Sequence, residues 1–425
     1  MRVGVFCLNW LVCVCLIVVS PSSQAESLSQ LIELALDGHP GIHANRMLRD
    51  ASSADVDYAR WQFFPRFIMS AQSASTSDND PSFEGDDQVS MVGLVQPIWT
   101  GGAATARLKS AKATSILRES EIDQAEQSLA IRVLASYADW YSANRRVAAW
   151  QSSLLVHQNL SQQVRRRTSS GASSESDLAL AEARVALTKA ELTATIVEEQ
   201  IALSVLSELV GKPIDSSDLV NEPPQPKQID IGLEALKDRA WNNSPAVAAA
   251  VSEVGIADAD ILSARATYMP KINLRLERQY GNFINEDTSA SNRIFVEFTT
   301  EFGAGLSSLS SVSAARLRRE AALANVERQR YLLDTDIASD LLLQQSIAQR
   351  LTALTQSKQA TQNVYQSFER QFLSGSRTWL DLLNSARELT QVELQIADAR
   401  ASSVLVSWRL YILAHGVDSV LGESA

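Results

Sequence analysis

The sequence predicts a mostly α protein carrying membrane β-strands. Three protomers would form a trimeric twelve-stranded β-barrel, continued by a long α-helical barrel, and each protomer is an internal duplication. Three observations predict it. First, His39-Pro40 and Phe64-Pro65 frame one stretch, and Ser244-Pro245 and Met269-Pro270 frame another 205 positions on. The same offset carries Gly211 onto Gly416, and an offset of 204 carries Gly171, Asp177 and Leu178 onto Gly375, Asp381 and Leu382. Second, apolar periodicity switches from 3.6 to 2 after Pro65 and again after Pro270. Third, two very long stretches, 104–168 and 306–374, contain neither proline nor glycine.

Residues 1–25 read as a cleaved signal peptide: Arg2 is the one early charge, Val3 to Val19 is nearly all apolar, and Ser23-Gln24-Ala25 supplies small residues for cleavage. A membrane anchor is the other reading, but the run is short for a span. Cys7, Cys13 and Cys15 all lie in this segment, so disulfide and thiol chemistry are not expected of the mature chain. No run of small residues prepares any of them for lipid attachment.

The first repeat is expected over 26–211. It opens with an amphipathic helix at 27–37, whose Leu28, Leu31, Ile32, Leu34 and Ala35 share a face. The residue before a proline avoids helical angles, so His39-Pro40 ends it, and a second helix covers about 42–63. A β-hairpin then spans 66–99, with Phe67, Met69 and Ala71 on one strand and Val89, Met91, Gly93 and Val95 on the next. A long helix at 104–168 and a returning helix at 174–209 complete the unit. Residues 212–231, with Lys212-Pro213 and Glu222-Pro223-Pro224-Gln225-Pro226, read as a crossover linker. The second repeat, 232–416, has a helix at about 246–268, a hairpin at 271–302, a long helix at 306–374 and a returning helix at 377–414; 417–425 is a tail. In its hairpin Ile272, Leu274 and Leu276 alternate with polar residues, as do Ile294, Val296 and Phe298. Each run is about ten residues, near the ~9–11 a tilted strand needs to cross a bilayer.

Trp99 and Phe302 fall where the hairpins end, the level of the aromatic girdles of membrane barrels. Gly101-Gly102 and Gly303-Ala304-Gly305 follow. No Gly-Lys-Ser/Thr accompanies them, so turning a strand into a helix explains them better than phosphate binding. A helix of ~65 residues is roughly 95 Å long, a rod that soluble domains seldom use outside coiled coils. A short helix before the hairpin and a returning helix after the turn nearly equal one rod in length, so the two can lie end to end alongside it.

Composition narrows the function. Aromatic residues are 6 % of the 425-residue chain, which suits long helices with thin apolar seams. A formal charge of −11 argues against a nucleic-acid partner. His39 and His43 stand four apart, but His39 precedes proline and no acidic third ligand is near, so no metal site is expected. No serine sits in a nucleophile-elbow context, and neither catalytic residues nor cofactors are expected. Four strands cannot close on themselves in lipid, where open edges are forbidden. Three copies resolve this, forming a channel that continues from a membrane barrel into a helical tube.

The segment from Phe372 to Arg387, with Gly375, Arg377, Asp381 and Asn384, resembles the tunnel-tip signature of the TolC family of outer-membrane channels; Gly171, Asp177-Leu178 and Ala183-Arg184 resemble its repeat partner. The resemblance covers essentially the whole mature chain. It implies a homotrimeric exit duct in the bacterial outer membrane, extending into the periplasm. The duct would dock onto a periplasmic adaptor (membrane fusion protein) and an inner-membrane ABC transporter or proton-driven pump. Type I protein secretion, and adhesin export in particular, is the favoured function; a small-molecule or drug efflux duct is the alternative, and a poreless periplasmic coiled-coil scaffold the rival of another class.

By the same resemblance, Gly171 and Gly375 are the helix-turn tips for adaptor docking, and Asp381 with Asn384 is a pore-tip charge ring. An acidic residue is common in relatives at the place of Asn384, so the ring here would be weaker. The other reading of Asp381 is a solvated aspartate interacting with the helix dipole. Arg377 falls at the family position that ties one helix pair to the other, with Asp177 and Ser176 as its partners in a gate latch. Phe372 stands where some relatives place a hydroxyl and offers none. A plain surface arginine is the alternative for Arg377.

Overall fold

The computed structural model of the chain describes residues 27–75, 84–220, 225–226, 232–284, 290–301, 303–304 and 307–422. The expected signal segment 1–25 with its three cysteines, Phe302, Gly305, most of the proline-rich linker and the hairpin loop tips lie outside the described residues.

The first repeat comprises α1 (Leu28–Gly38), α2 (Pro40–Trp61), β1 (Arg66–Ser73), β2 (Gln88–Trp99), α3 (Ala103–Ser169) and α4 (Glu175–Val210). The second comprises α5 (Leu233–Asn243), α6 (Pro245–Ala266), β3 (Lys271–Tyr280), β4 (Ser291–Thr299), α7 (Ser307–Leu373) and α8 (Trp379–His415), with a last turn α9 (Asp418–Leu421). Local chemistry sets these bounds. Ser27 and Gln30 form a capping box at the start of α1. Pro40 and Pro245 occupy the first helical positions of α2 and α6, where a missing N–H costs nothing. His39 has a local role of its own: its Nδ1 accepts the Gly41 amide at 3.0 Å and caps α2.

α3 and α7 each have 67 residues, about 100 Å of rod. α2 lies along the first part of α3 through Arg46–Glu126, and α4 along its later part through Arg165–Glu182. α6 and α8 repeat this on α7 through Asp258–Arg319 and Glu393–Lys358. α3 also packs on α8 and α6, which joins the two repeats into one wall. The largest core lies where α1 crosses the middle of α3. Leu28, Leu31 and Ile32 meet Val133, Tyr137 and Trp140 there, closed by Leu206 of α4 and Ile412 of α8. α5 seals the matching place on α7 and α8 with Leu236 and Ala240 against Ile337 and Leu410. Beside it Asp340 of α7 is buried and held by the fork of Arg409 from α8, with Nε to Oδ2 at 2.7 Å.

The strands form one antiparallel sheet in the order β1-β2-β3-β4, so β1 and β4 are both open edges in the protomer. Phe67, Leu94 and Leu276 line up across neighbouring strands, and Leu276 pairs with Ile294. Ile294, Val296 and Phe298 stand out from this face. On the opposite face Glu277 is buried beneath Gly93 and flanked by Arg275 at 3.5 Å and Arg293 at 3.9 Å. Val89, Met91, Gly93 and Val95 lie on the face opposite to Phe67 and Met69. The register places Leu94 and Val92 opposite those residues, leaving Val95 buried on the other face. β2 is apolar on both faces, so alternation alone could not choose between them. Among the described residues no helix is long and apolar enough to cross a membrane.

Candidate functional site

The free end of the helical wall is built from the α3–α4 and α7–α8 turns. Both close alike. Gly171 (φ +76°) and Gly375 (φ +78°) take the left-handed conformation that ends a helix. Ala172 N–H then returns to Arg167 O at 2.7 Å, and Ser376 N–H to Gln371 O at 2.9 Å. Neither glycine has a neighbour within 4 Å of where a side chain would begin, so the tips are open.

Each returning helix starts on a hydroxyl cap with an aspartate at its third position. Ser174 Oγ accepts the Asp177 amide, and the Asp177 carboxylate accepts the Ser174 amide, both at 3.1 Å. The bond from the Ser174 amide, with further ones from the Ser174 hydroxyl and the Trp379 side chain, holds the Asp177 carboxyl below the usual carboxylate range. At α8, Thr378 Oγ1 accepts the Asp381 amide at 3.2 Å and donates to Asp381 Oδ2 at 2.8 Å. Asp381 is thus a half-exposed N-terminal-turn carboxylate, while Asn384 is exposed one turn on.

Arg377 is engaged within its own hairpin. Its Nε donates to Gln371 Oε1 at 3.1 Å, its guanidinium lies 4.5 Å from the Phe368 ring centre, and Asp381 is 3.7 Å away. No ion pair joins Arg377 to Asp177 among the described residues, and Ser176 is exposed. The expected Arg377–Asp177–Ser176 latch is therefore not formed in the protomer. The contact with Asp381 four residues on keeps the arginine at the start of its own returning helix.

The contacts that bridge the hairpins are others. Arg167, in the last turn of α3, donates from Nη2 to the Phe372 carbonyl at 2.9 Å and stacks on the Phe372 ring at 4.2 Å. The side chain of Trp379 reaches Asp177 from the second hairpin to the first. Beneath them Leu160, Val164, Ala181, Phe372, Trp379, Leu382 and Leu383 form a small apolar core shared by both hairpins. Sequence reasoning missed Arg167 and Trp379, and it judged Phe372 by the hydroxyl it lacks. The one sequence signal was the run Arg165-Arg166-Arg167 at a helix C-terminus, where cations suit the dipole.

At the opposite end Gly101 (φ +64°) and Gly102 (φ +95°) turn β2 into α3. Gly101 is also pressed against the second repeat, where a Cβ would come within 2.7 Å of Met269 Cβ. Gly303 has no left-handed φ, and among the described residues a Cβ there would meet the Ser307 side chain. Trp99 is exposed, and Trp61, Phe63 and Phe64 join it outside the helix-to-strand corner, a group that sequence reasoning passed over.

The family model for "Outer membrane efflux protein" matches residues 31–212 and 236–414, one match to each repeat. The chain is 21 % identical to the alkaline protease secretion protein AprF of Pseudomonas aeruginosa over 435 aligned positions, which cover 97 % of this chain and 89 % of that one. It is 27 % identical to protein CyaE of Bordetella pertussis over 332 positions, 74 % of this chain and 67 % of the relative. The crystal structure of the outer membrane protein VceC of Vibrio cholerae shares the fold, with a TM-score of 0.79 at 18 % identity and coverage of 92 % and 96 %.

Proposed function

Because the chain belongs to the outer membrane efflux protein family, we propose that it is the outer-membrane exit duct of a tripartite export system, and that protein leaving through a type I pathway is its cargo. The observation that carries the duct is one protomer holding a four-stranded sheet with two open edges and a wall of ~100 Å rods. In lipid the edges must pair, so three copies close a barrel of twelve strands and a tube beneath it. The outward row of Phe67, Leu94, Ile294, Val296 and Phe298 meets the acyl chains, and Trp61, Phe64 and Trp99 sit at the bilayer surface. The tube reaches through the periplasm, where its Gly171 and Gly375 tips meet an adaptor joined to an inner-membrane ABC transporter.

Protein cargo is favoured by AprF, whose name assigns it to protease secretion, and by the likeness covering nearly the whole of this chain. Small-molecule efflux is the second reading, carried by the family's own description. Repeated three times at the tip, Asp381 supplies an acidic ring that favours cations, and Asn384 one turn on leaves it a single layer. Arg167 on Phe372, with Trp379 on Asp177, holds the two hairpins of each protomer together there. We assign to these contacts the holding role that Arg377 had on sequence grounds.

Single-channel recording in planar bilayers tests the duct: a cation-selective conductance whose selectivity falls in Asp381→Ala is expected. Well-folded protein that never conducts would overturn it. A deletion strain that loses a secreted protein supports type I export, whereas one that only becomes sensitive to small toxic compounds moves the cargo to efflux.

A further inference from the structure

Where α4 and α8 both lean on α3, a cavity of about 130 Å³ lies between the two hairpins, about two to six turns from the tip. His157 projects from α3, Arg184 from α4 and Arg387 from α8, so three helices each supply a basic group. His157 is 6 % exposed, and its Nδ1 is buried with no hydrogen-bond partner. A buried nitrogen of that kind is ordinarily satisfied by protein or by a bound species. Neither guanidinium has an ion pair among the described residues, and the one carboxylate lining the cavity is that of Glu191. Burial, and after it the charge of Arg184, keeps His157 below its ordinary pKa. Ser153 and Thr390, whose hydroxyls meet at 3.0 Å, line the same wall.

We propose that this cavity binds a small oxyanion, with the guanidinium groups of Arg184 and Arg387 pairing its oxygens and His157 donating a third hydrogen bond. Planar guanidinium forks suit phosphate and carboxylate alike, and two cations against one carboxylate leave the cavity net positive. The neutral imidazole still carries one N–H, so it donates without adding charge. An anion held this way bridges α4 to α8 across α3, and therefore links the first hairpin to the second just above the tip contacts. The binding itself does not depend on the duct reading.

The test is thermal unfolding and calorimetric titration of the purified full-length chain. Inorganic phosphate and N-acetyl-aspartate are the probes, each matched with chloride at equal ionic strength. Phosphate is expected to raise the melting temperature beyond chloride. Arg387→Gln and Arg184→Gln are each expected to weaken binding tenfold or more, with unchanged circular dichroism and oligomeric state. A response to N-acetyl-aspartate alone keeps the site and assigns it to carboxylates, such as those of a partner's acidic side chain. Phosphate and N-acetyl-aspartate that act no differently from chloride would overturn the proposal. So would a response unchanged in both arginine variants, because it would place the anion elsewhere.

Discussion

Arg167→Ala should loosen the tip. The side chain makes two contacts with Phe372, a charged hydrogen bond to its carbonyl at 2.9 Å and a cation–π stack at 4.2 Å. The stack is worth about 1 kcal/mol and the partly exposed hydrogen bond about the same, so the pair contributes ~2 kcal/mol per protomer. At 1.4 kcal/mol per factor of ten, that is roughly thirty-fold in any equilibrium that separates the ends of α3 and α7. Three protomers moving together would compound it to ~6 kcal/mol, about four orders of magnitude. Planar-bilayer recording of Arg167→Ala should therefore show a larger mean conductance or open probability than wild type. Arg167→Lys should fall between them, because an ammonium keeps the charge but loses the planar fork. Arg165→Ala is the control: Arg165 pairs with Glu182 inside the first hairpin and, among the described residues, makes no ion pair with the second. Conductance of Arg167→Ala that matches wild type, in channels of normal assembly, would refute the reasoning.

Two further outcomes follow from buried polar groups. Arg409→Ala strands Asp340, whose side chain is 1 % exposed, and should cost about 3 kcal/mol in denaturant unfolding; the double variant Arg409→Met/Asp340→Leu should recover most of that, since replacing both partners removes the uncompensated charge. His157 should make stability fall on acidification. Its folded pKa lies below the ordinary 6.5, so below that pH the unfolded chain binds a proton the folded chain resists, and the melting temperature drops as pH goes from 7 towards 5. In His157→Gln the slope over that window should be shallower; an unchanged slope would assign the acid sensitivity to other groups.

The parts of this fold that were legible in the sequence are those set by neighbours along the chain. Pro40 and Pro245 mark helix boundaries because of their own rings, and Gly171 and Gly375 end helices because of their own freedom at positive φ. The row Ile294, Val296, Phe298 could be assigned to the outward face because Arg293, Glu297 and Thr299 alternate with it. β2 offers no such contrast. Leu94 and Val95 are both apolar and only the pairing of Phe67 with Leu94 decides which is exposed, a fact held by another strand.

The tip failed to be read for the same reason at larger scale. Arg377 and Arg167 are both basic residues beside a glycine turn, and local pattern favoured the one that matched a motif. Which of them crosses to the other hairpin depends on how α3 and α7 are rotated about their axes, and that rotation is set by Leu160, Val164, Phe372 and Leu382 packing between them. Once Phe372 is turned inward its carbonyl and ring face are turned to α3, and Arg167 is the cation within reach. A residue that lacks the expected hydroxyl can therefore still anchor a bridge, through its backbone oxygen and its π face. The functional contact follows from the packing of the small tip core, so a variant that repacks it, such as Leu382→Ala, should alter conductance without touching a single charged group.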